Sequence, residues 1–245
     1  MATNLNSGAK ASAQGLFVQS ASQEHILGEI IRSPDGRVFR YVKAGAVDLV
    51  VGKLQQSPAE ITNHQNLAVP ATAALSTTVT VTLGATAVTA NQYAGGYAII
   101  TVTPGVGYQY LIKSHPAASG SATCVLTLED PIQVALTTSS KIDLVANPYN
   151  GVIVNPTTAT GIPVGVAISV ITAGYYGWIQ TGGIASVLAS GALGVGNTVS
   201  ASVDIAGAVK VIDSTSTTTI KPAVVGEAAT GVADQQYGAV KLLLD

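Results

Sequence analysis

Charged residues are scarce: Asp, Glu, Lys and Arg make up 10% of the 245 residues and leave a net charge of −2. A chain so nearly neutral lacks the basic field that attracts a phosphate backbone, which argues against nucleic acid as a direct partner. The scarcity is also uneven, with no charged residue between Glu60 and Lys113 or between Asp143 and Asp204. Soluble monomers intersperse charge over their surface, so these stretches point to contact with neighbouring subunits. Cysteine occurs once, as Cys124. One cysteine excludes an intramolecular disulfide framework and a thiolate zinc cluster, and its place between Thr123 and Val125 reads as a buried small apolar residue.

Catalytic vocabulary is equally thin. The three histidines, His25, His64 and His115, are far apart in sequence, and no H-x-x-x-H, H-E-x-x-H, G-x-S-x-G or G-x-x-x-x-G-K pattern occurs. Zincin, hydrolase-elbow and phosphate-loop chemistry lose their sequence basis, and each histidine is expected in a structural or solvated role. Glu129-Asp130 is the one adjacent acidic pair. Neighbours on a strand point to opposite faces, so it reads as a solvated strand end rather than a calcium clamp. No catalytic residue, metal or cofactor is expected. The uncharged run Val164–Ile179 follows Pro163 and contains Gly165, Ser169, Thr172, Gly174 and Gly177 without flanking Lys or Arg, which disfavours a transmembrane helix. The N-terminal MATNLNSGAKASAQG has no apolar core of a secretory signal, so export is not expected.

What is abundant is β-forming sequence: 47% of residues are hydrophobic. Thr77–Leu83, Tyr97–Val102, Tyr108–Ile112 and Thr123–Leu128 alternate with period two and are punctuated by Pro104-Gly105 and Ser119-Gly120. Ile30-Ile31-Arg32, Ser33-Pro34-Asp35-Gly36 and Arg37-Val38-Phe39-Arg40-Tyr41-Val42 predict a β-hairpin, because Pro, Asp and Gly supply the backbone needs of a tight turn. Helix is poorly supported, with a short turn over Asp130–Leu136 the best candidate. The C-terminal third contains an echo: Val164-Gly165-x-Ala167 with Tyr176-Gly177, and Val225-Gly226-x-Ala228 with Tyr237-Gly238, displaced by 61 residues. Val51-Gly52-Lys53-Leu54 similarly resembles Val195-Gly196-Asn197-Thr198. The two Tyr-Gly tyrosines are expected at equivalent barrel positions, their rings covering a core edge and their hydroxyls reaching polar partners.

The expected fold is therefore all-β: a β-sandwich-like module plus a small β-barrel module, with an extended N-terminal arm and hairpin. Residues 1–25 read as a flexible arm, ordered only on a neighbour. Residues 26–57 form the hairpin segment packed with the C-terminal module, 58–149 the sandwich, and 150–245 the small barrel. One cluster stands out as a partner-binding candidate: Arg32, Arg37, Phe39, Arg40, Tyr41 and Lys43. Residues 1–55 hold six basic and four acidic groups, for +2, and the remainder five and nine, for −4. Planar guanidinium groups interleaved with aromatics suit an acidic protein surface.

Gly36-Arg37-x-Phe39-Arg40-Tyr41-Val42-x-x-Gly45, Asn147-x-Tyr149-Asn150-Gly151-Val152 and Gly174-Tyr175-Tyr176-Gly177-Trp178-Ile179-Gln180-Thr181-x-Gly183 resemble segments of tailed-bacteriophage virion proteins. The likeness extends over much of the chain, in turn-and-packing motifs without catalytic content. It implies a structural virion protein resembling capsid decoration (cement) proteins, made in the host cytoplasm and placed on the capsid surface. Its implied partners are the major capsid protein and other copies of itself, as a homotrimer, with neither direct nucleic-acid contact nor membrane. The alternatives are a phage tail, baseplate or fibre component, and a non-viral glycan- or receptor-binding β module. The last should show exposed aromatic platforms, whereas the sole tryptophan, Trp178, lies inside a predicted strand.

Overall fold

The computed structural model describes residues 14–212 and 224–245. Among these the regular structure is entirely β apart from one 3₁₀ turn at Thr62–His64, and Asp130–Leu136 is bends and extended chain, not the expected helical turn. The chain divides into two compact units, one containing the residues up to Pro58 and from Pro148 onward, the other Ala59–Asn147. The first unit is thus discontinuous in sequence, with the second inserted between its strands. The first contributes β1 (Ile30–Arg32), β2 (Val38–Ala44) and β3 (Leu54–Gln56) before the insertion.

The inserted unit carries β4 (Leu67–Ala68), β5 (Thr78–Thr82), β6 (Tyr97–Val102), β7 (Gln109–Ser114), β8 (Thr123–Leu128) and β9 (Lys141–Val145). These close into one barrel in the order β4-β5-β8-β7-β6-β9, every pairing antiparallel. The fold is all-β as expected, and the sandwich-like module is closed into a single barrel. Closure depends on β4, a two-residue strand that pairs with both β5 and β9 and so leaves no open edge. Period-two alternation fills the interior: Val79 and Val81 point inward with Cys124, Leu126 and Leu128, while Thr78 and Thr82 face outward.

After the insertion come β10 (Asn150–Val154), β11 (Pro163–Ala167), β12 (Tyr176–Leu188), β13 (Thr198–Ala201), β14 (Val209–Val211), β15 (Val224–Ala228) and β16 (Tyr237–Leu243). The sheet order β1-β2-β10-β3-β11-β12-β16-β15-β13-β14 contains an extra pairing of β2 with β12, so β2, β10, β3, β11 and β12 form a closed circuit. A second circuit runs β12, β16, β15, β13 and β14, and is closed by the parallel bridge of Ala189 with Val209. Strand β12, 13 residues long, serves both: its first half pairs with β2 and its second with β16.

The two circuits are duplicates at the level of individual hydrogen bonds. Gly52 N–H donates to Ala167 O at 2.8 Å as Gly196 N–H does to Ala228 O, also at 2.8 Å, and Leu49 bridges Ile171 as Leu193 bridges Val232. Ala44 pairs in parallel with Val152 as Ala189 does with Val209. The echo in the sequence is thus a repeated five-stranded plan. In the first copy the β3–β10 connection holds the whole inserted barrel; in the second, the β13–β14 connection is residues 202–208. The segment 150–245 does not make its barrel unaided, since β2 and β3 complete the first circuit.

Strand β2 is buried on both faces. Val42 and Ala44 join Leu49, Val152, Val164, Ile171 and Ile179 inside the first circuit, while Phe39 and Tyr41 pack outside it with Ile31 and Trp178. Residues 14–27 cover this outer aromatic layer. Ser20 exchanges backbone hydrogen bonds with Tyr176 at 2.8 and 2.9 Å, and Tyr41 Oη donates to Gln14 Oε1 at 2.8 Å while accepting from Glu24 N–H at 3.1 Å. The expected free arm is therefore, over residues 14–25, a strap fixed to its own barrel. Residues 1–13 lie outside the described residues.

Candidate interaction surface

The hairpin forms as the sequence predicts, with Ile30 opposite Arg40 and Arg32 opposite Val38, and Gly36 at φ +84° in the turn. Its six candidate residues are not one surface. Phe39 and Tyr41 are fully buried, because the strap and β1 turn the outer face of β2 into a second core, so neither can meet a partner. Arg37 donates from Nε to Asp35 Oδ2 at 2.6 Å, and its guanidinium lies 5.3 Å from the centre of the Phe39 ring. The Arg37 backbone N–H and the guanidinium hold the Asp35 carboxyl below its ordinary value.

Arg40 donates from Nε to both carboxylate oxygens of Asp245 at 2.9 and 2.8 Å, and from a terminal nitrogen to Gly28 O at 3.0 Å. It also lies over the Tyr149 ring, 5.1 Å from its centre. Burial alone would raise the Asp245 pKa, but the hydrogen bond and charge of Arg40 outweigh it and hold the carboxyl below the usual range. A bidentate pair of this kind is a structural tie between β2 and the end of β16, not a contact waiting for an acidic partner. Lys43 is half-buried with its ammonium 5.5 Å from the Tyr176 ring centre, and Arg32 is exposed. Outward-facing positive charge at the hairpin comes chiefly from Arg32 and Lys43.

The tyrosines of the echo begin equivalent strands, β12 and β16, on the rim of the unit. Tyr176 stacks on Tyr41 with ring centres 6.1 Å apart; Tyr237 is 50% exposed and lies against Gly52, where a Cβ would come within 2.5 Å of the ring. The glycine that follows each tyrosine has a matching reason: a Cβ would meet Ile171 at 2.7 Å in the first copy and Val232 at 2.8 Å in the second. Between strap and strands runs an open groove of about 370 Å³ lined by Phe17, Val51, Val166, Ile168, Ala185 and Tyr237. Sequence reading missed it because Leu16-Phe17-Val18 is a short apolar run, without a period, between the polar residues of the arm.

Titratable side chains meet at one further place, inside the inserted barrel. His64, Tyr93, His115 and Cys124 are all buried. Tyr93 N–H donates to His115 Nε2 at 2.9 Å, and His115 Nδ1 lies 2.9 Å from Pro116 O, so the proton resides on Nδ1 and the ring is neutral. Cys124 Sγ lies 3.8 Å from that Nδ1 and therefore faces an N–H rather than a base. Burial raises the thiol pKa, which leaves the sulfur protonated and poorly nucleophilic. His64 Nδ1 meets Tyr93 Oη at 2.6 Å and Nε2 meets Thr86 O at 3.0 Å, and burial pushes the phenol pKa up. Every ring atom that could move a proton is thus held by the fold.

This network has a pH signature. Burial, with the nearby His64, lowers the His115 pKa below its ordinary value, although the bond to Pro116 O opposes it. The unfolded chain takes up the proton first, so the stability from a neutral His115 is complete above about pH 6.5 and declines as pH falls toward the folded-state pKa. Unfolding free energies from urea melts between about pH 7.5 and 5 should fall on acidification, with a slope no steeper than the one-proton limit of about 1.4 kcal/mol per pH unit, and His115→Asn should flatten that slope. An equal slope in the variant would locate the effect elsewhere.

Among the described residues no group of three or more His, Cys, Asp or Glu could hold a metal ion, and no helix is long and apolar enough to cross a membrane. Comparison of the chain with protein-family models, curated proteins and solved structures found no match.

Proposed function

We propose that the protein is a non-enzymatic structural subunit of a tailed-phage particle, binding the outside of the capsid and stabilising it by bridging major-capsid subunits. One observation carries the reading: the surface combines long uncharged stretches with scattered exposed apolar side chains. Phe17, Ile26, Val47, Leu75 and Val195 are all more than 60% exposed, and residues 144–203 present no charge to water. It is the scarcity of charge over these stretches that favours packing against protein neighbours over isolation in solvent.

The resemblance to virion proteins supplies the kind of neighbour, and copies of the chain associating on the shell supply the rest. His64, Tyr93, His115 and Cys124 hold one another and nearby backbone carbonyls inside the inserted barrel, a structural use of these side chains. Trp178, fully buried, offers no platform to a sugar ring, so the glycan-binding alternative draws no support from it. Contact with the capsid runs through Arg32, Lys43 and the exposed apolar side chains, not through the whole hairpin. The test is rupture of capsids with and without the protein. A copy number near that of the capsid subunit accompanies a head position, and a few dozen copies or fewer a tail, baseplate or fibre position.

A further inference from the structure

The outer wall of the inserted barrel carries an apolar row with a definite charge pattern around it. Tyr97 on β6 stands opposite Val145 on β9 and opposite Leu111 on β7, so three side chains cross three neighbouring strands on one face. Tyr97 is 37% and Val145 40% exposed, although alternation places their sequence neighbours Ala98 and Leu144 in the core. One row along the strands, Ile99 stands opposite Asp143 and Gln109. One row the other way, Lys113 stands two residues beyond Leu111 on the same outward face of β7, next to a bulge in which Gly95 and Gly96 both face Ile112.

Asp143 and Lys113 therefore lie on opposite outer strands and in opposite rows, diagonally across Tyr97. Strand spacing and rise place them about 17 Å apart, too far to pair within one chain. Lys113 reaches Glu129 at 3.5 Å with both side chains well exposed, a contact that water and salt weaken readily. Asp143 Oδ1 accepts from Asn66 N–H at 2.6 Å, which fixes the carboxylate in position.

From this pattern we infer that the face around Tyr97 pairs with the same face of a second copy of the chain, about a two-fold axis through Tyr97. An axis lying in the face and perpendicular to the Asp143–Lys113 line carries each copy's Asp143 onto the other's Lys113. Tyr97 then packs on Tyr97, with Val145 and Leu111 around it, and two symmetric ion pairs flank the apolar centre. A face whose opposite charges are related in this way is self-complementary, as an isologous contact requires. A strongly acidic or basic macromolecule would find no net charge to bind. The inference rests on the self-association part of the proposed function, takes a two-fold pair in place of the homotrimer that the resemblance implied, and is independent of the capsid.

Sedimentation velocity of the full chain tests it. The wild type should form a concentration-dependent dimer; Lys113→Glu and Asp143→Lys, each bringing like charges together, should weaken it at least tenfold. The combined Lys113→Glu/Asp143→Lys variant should recover the wild-type constant within about threefold. Far-UV circular dichroism and melting of each variant separate lost pairing from lost folding, and Lys113, outward and loosely held, supplies a variant that keeps the fold. A monomeric wild type, a trimer, or a combined variant as weak as the single ones overturns the inference. A dimer that adds nothing to capsid stability leaves it standing and removes the capsid reading instead.

Discussion

Trp178→Ala is expected to lower stability by about 4 kcal/mol, the range for emptying a large aromatic site in a packed core. Trp178 is fully buried at the centre of the outer aromatic layer, its ring centre 5.0 Å from that of Tyr41 and 5.1 Å from that of His25. The layer is held from outside by the strap, so truncation also removes the surface on which residues 14–27 lie. Unlike most buried indoles, its Nε1–H meets no acceptor. Trp178→Phe therefore loses ring area but relieves an unsatisfied donor, and should cost less than about 2 kcal/mol. Urea unfolding followed by far-UV circular dichroism measures both, since the chain has no second tryptophan to report by fluorescence. Equal losses would show that the layer does not depend on ring volume.

Gly226→Ala is expected to cost about 3 kcal/mol for a different reason, overpacking at a strand contact. Gly226 on β15 pairs with Leu242 on β16, and a Cβ there would lie 2.1 Å from the backbone oxygen of Lys241. Backbone cannot rotate away as a side chain can, so the two strands must separate or shift. At the matching place in the first copy, a Cβ on Gly165 would approach both Gln180 O and Ile179 Cδ1 at 2.8 Å, and its φ of +157° adds backbone strain to the contact, so Gly165→Ala is also destabilising. Gly231→Ala is the control, since its nearest neighbour would be Leu193 O at 3.7 Å, and it should change stability by less than about 0.5 kcal/mol. Thermal or urea midpoints of Gly226→Ala and Gly165→Ala should both fall below that of Gly231→Ala; a neutral Gly226→Ala would mean that the repeated glycine has no packing role.

How much of this was legible in the sequence follows from where the signals are local. Alternation over Thr77–Leu83 places Val79 and Val81 inward as β5 does, and Ser33-Pro34-Asp35-Gly36 forms the turn it predicts. The echo of Val164-Gly165 and Val225-Gly226 is visible because the same close strand approach demands glycine twice. Closure of the inserted barrel was not legible, since it depends on Leu67 and Ala68, too short a strand to show a period. The double burial of β2 was not legible either. The strap that covers Phe39 and Tyr41 is polar along most of its length and is fixed largely through backbone groups and Gln14. Arg40 reads as a free charge until Asp245, 205 positions away, is brought to it.

The proposed role reduces to a difference in mechanical strength. A protein that binds across two capsid subunits stabilises the joined state by its binding free energy, because separation must break that contact as well. Rupture of capsids by heating or by osmotic shock, with the protein present at saturating copy number and with it absent, measures that difference directly. The account predicts a higher rupture temperature and greater osmotic survival for the loaded capsids. Identical rupture of loaded and bare capsids would contradict it.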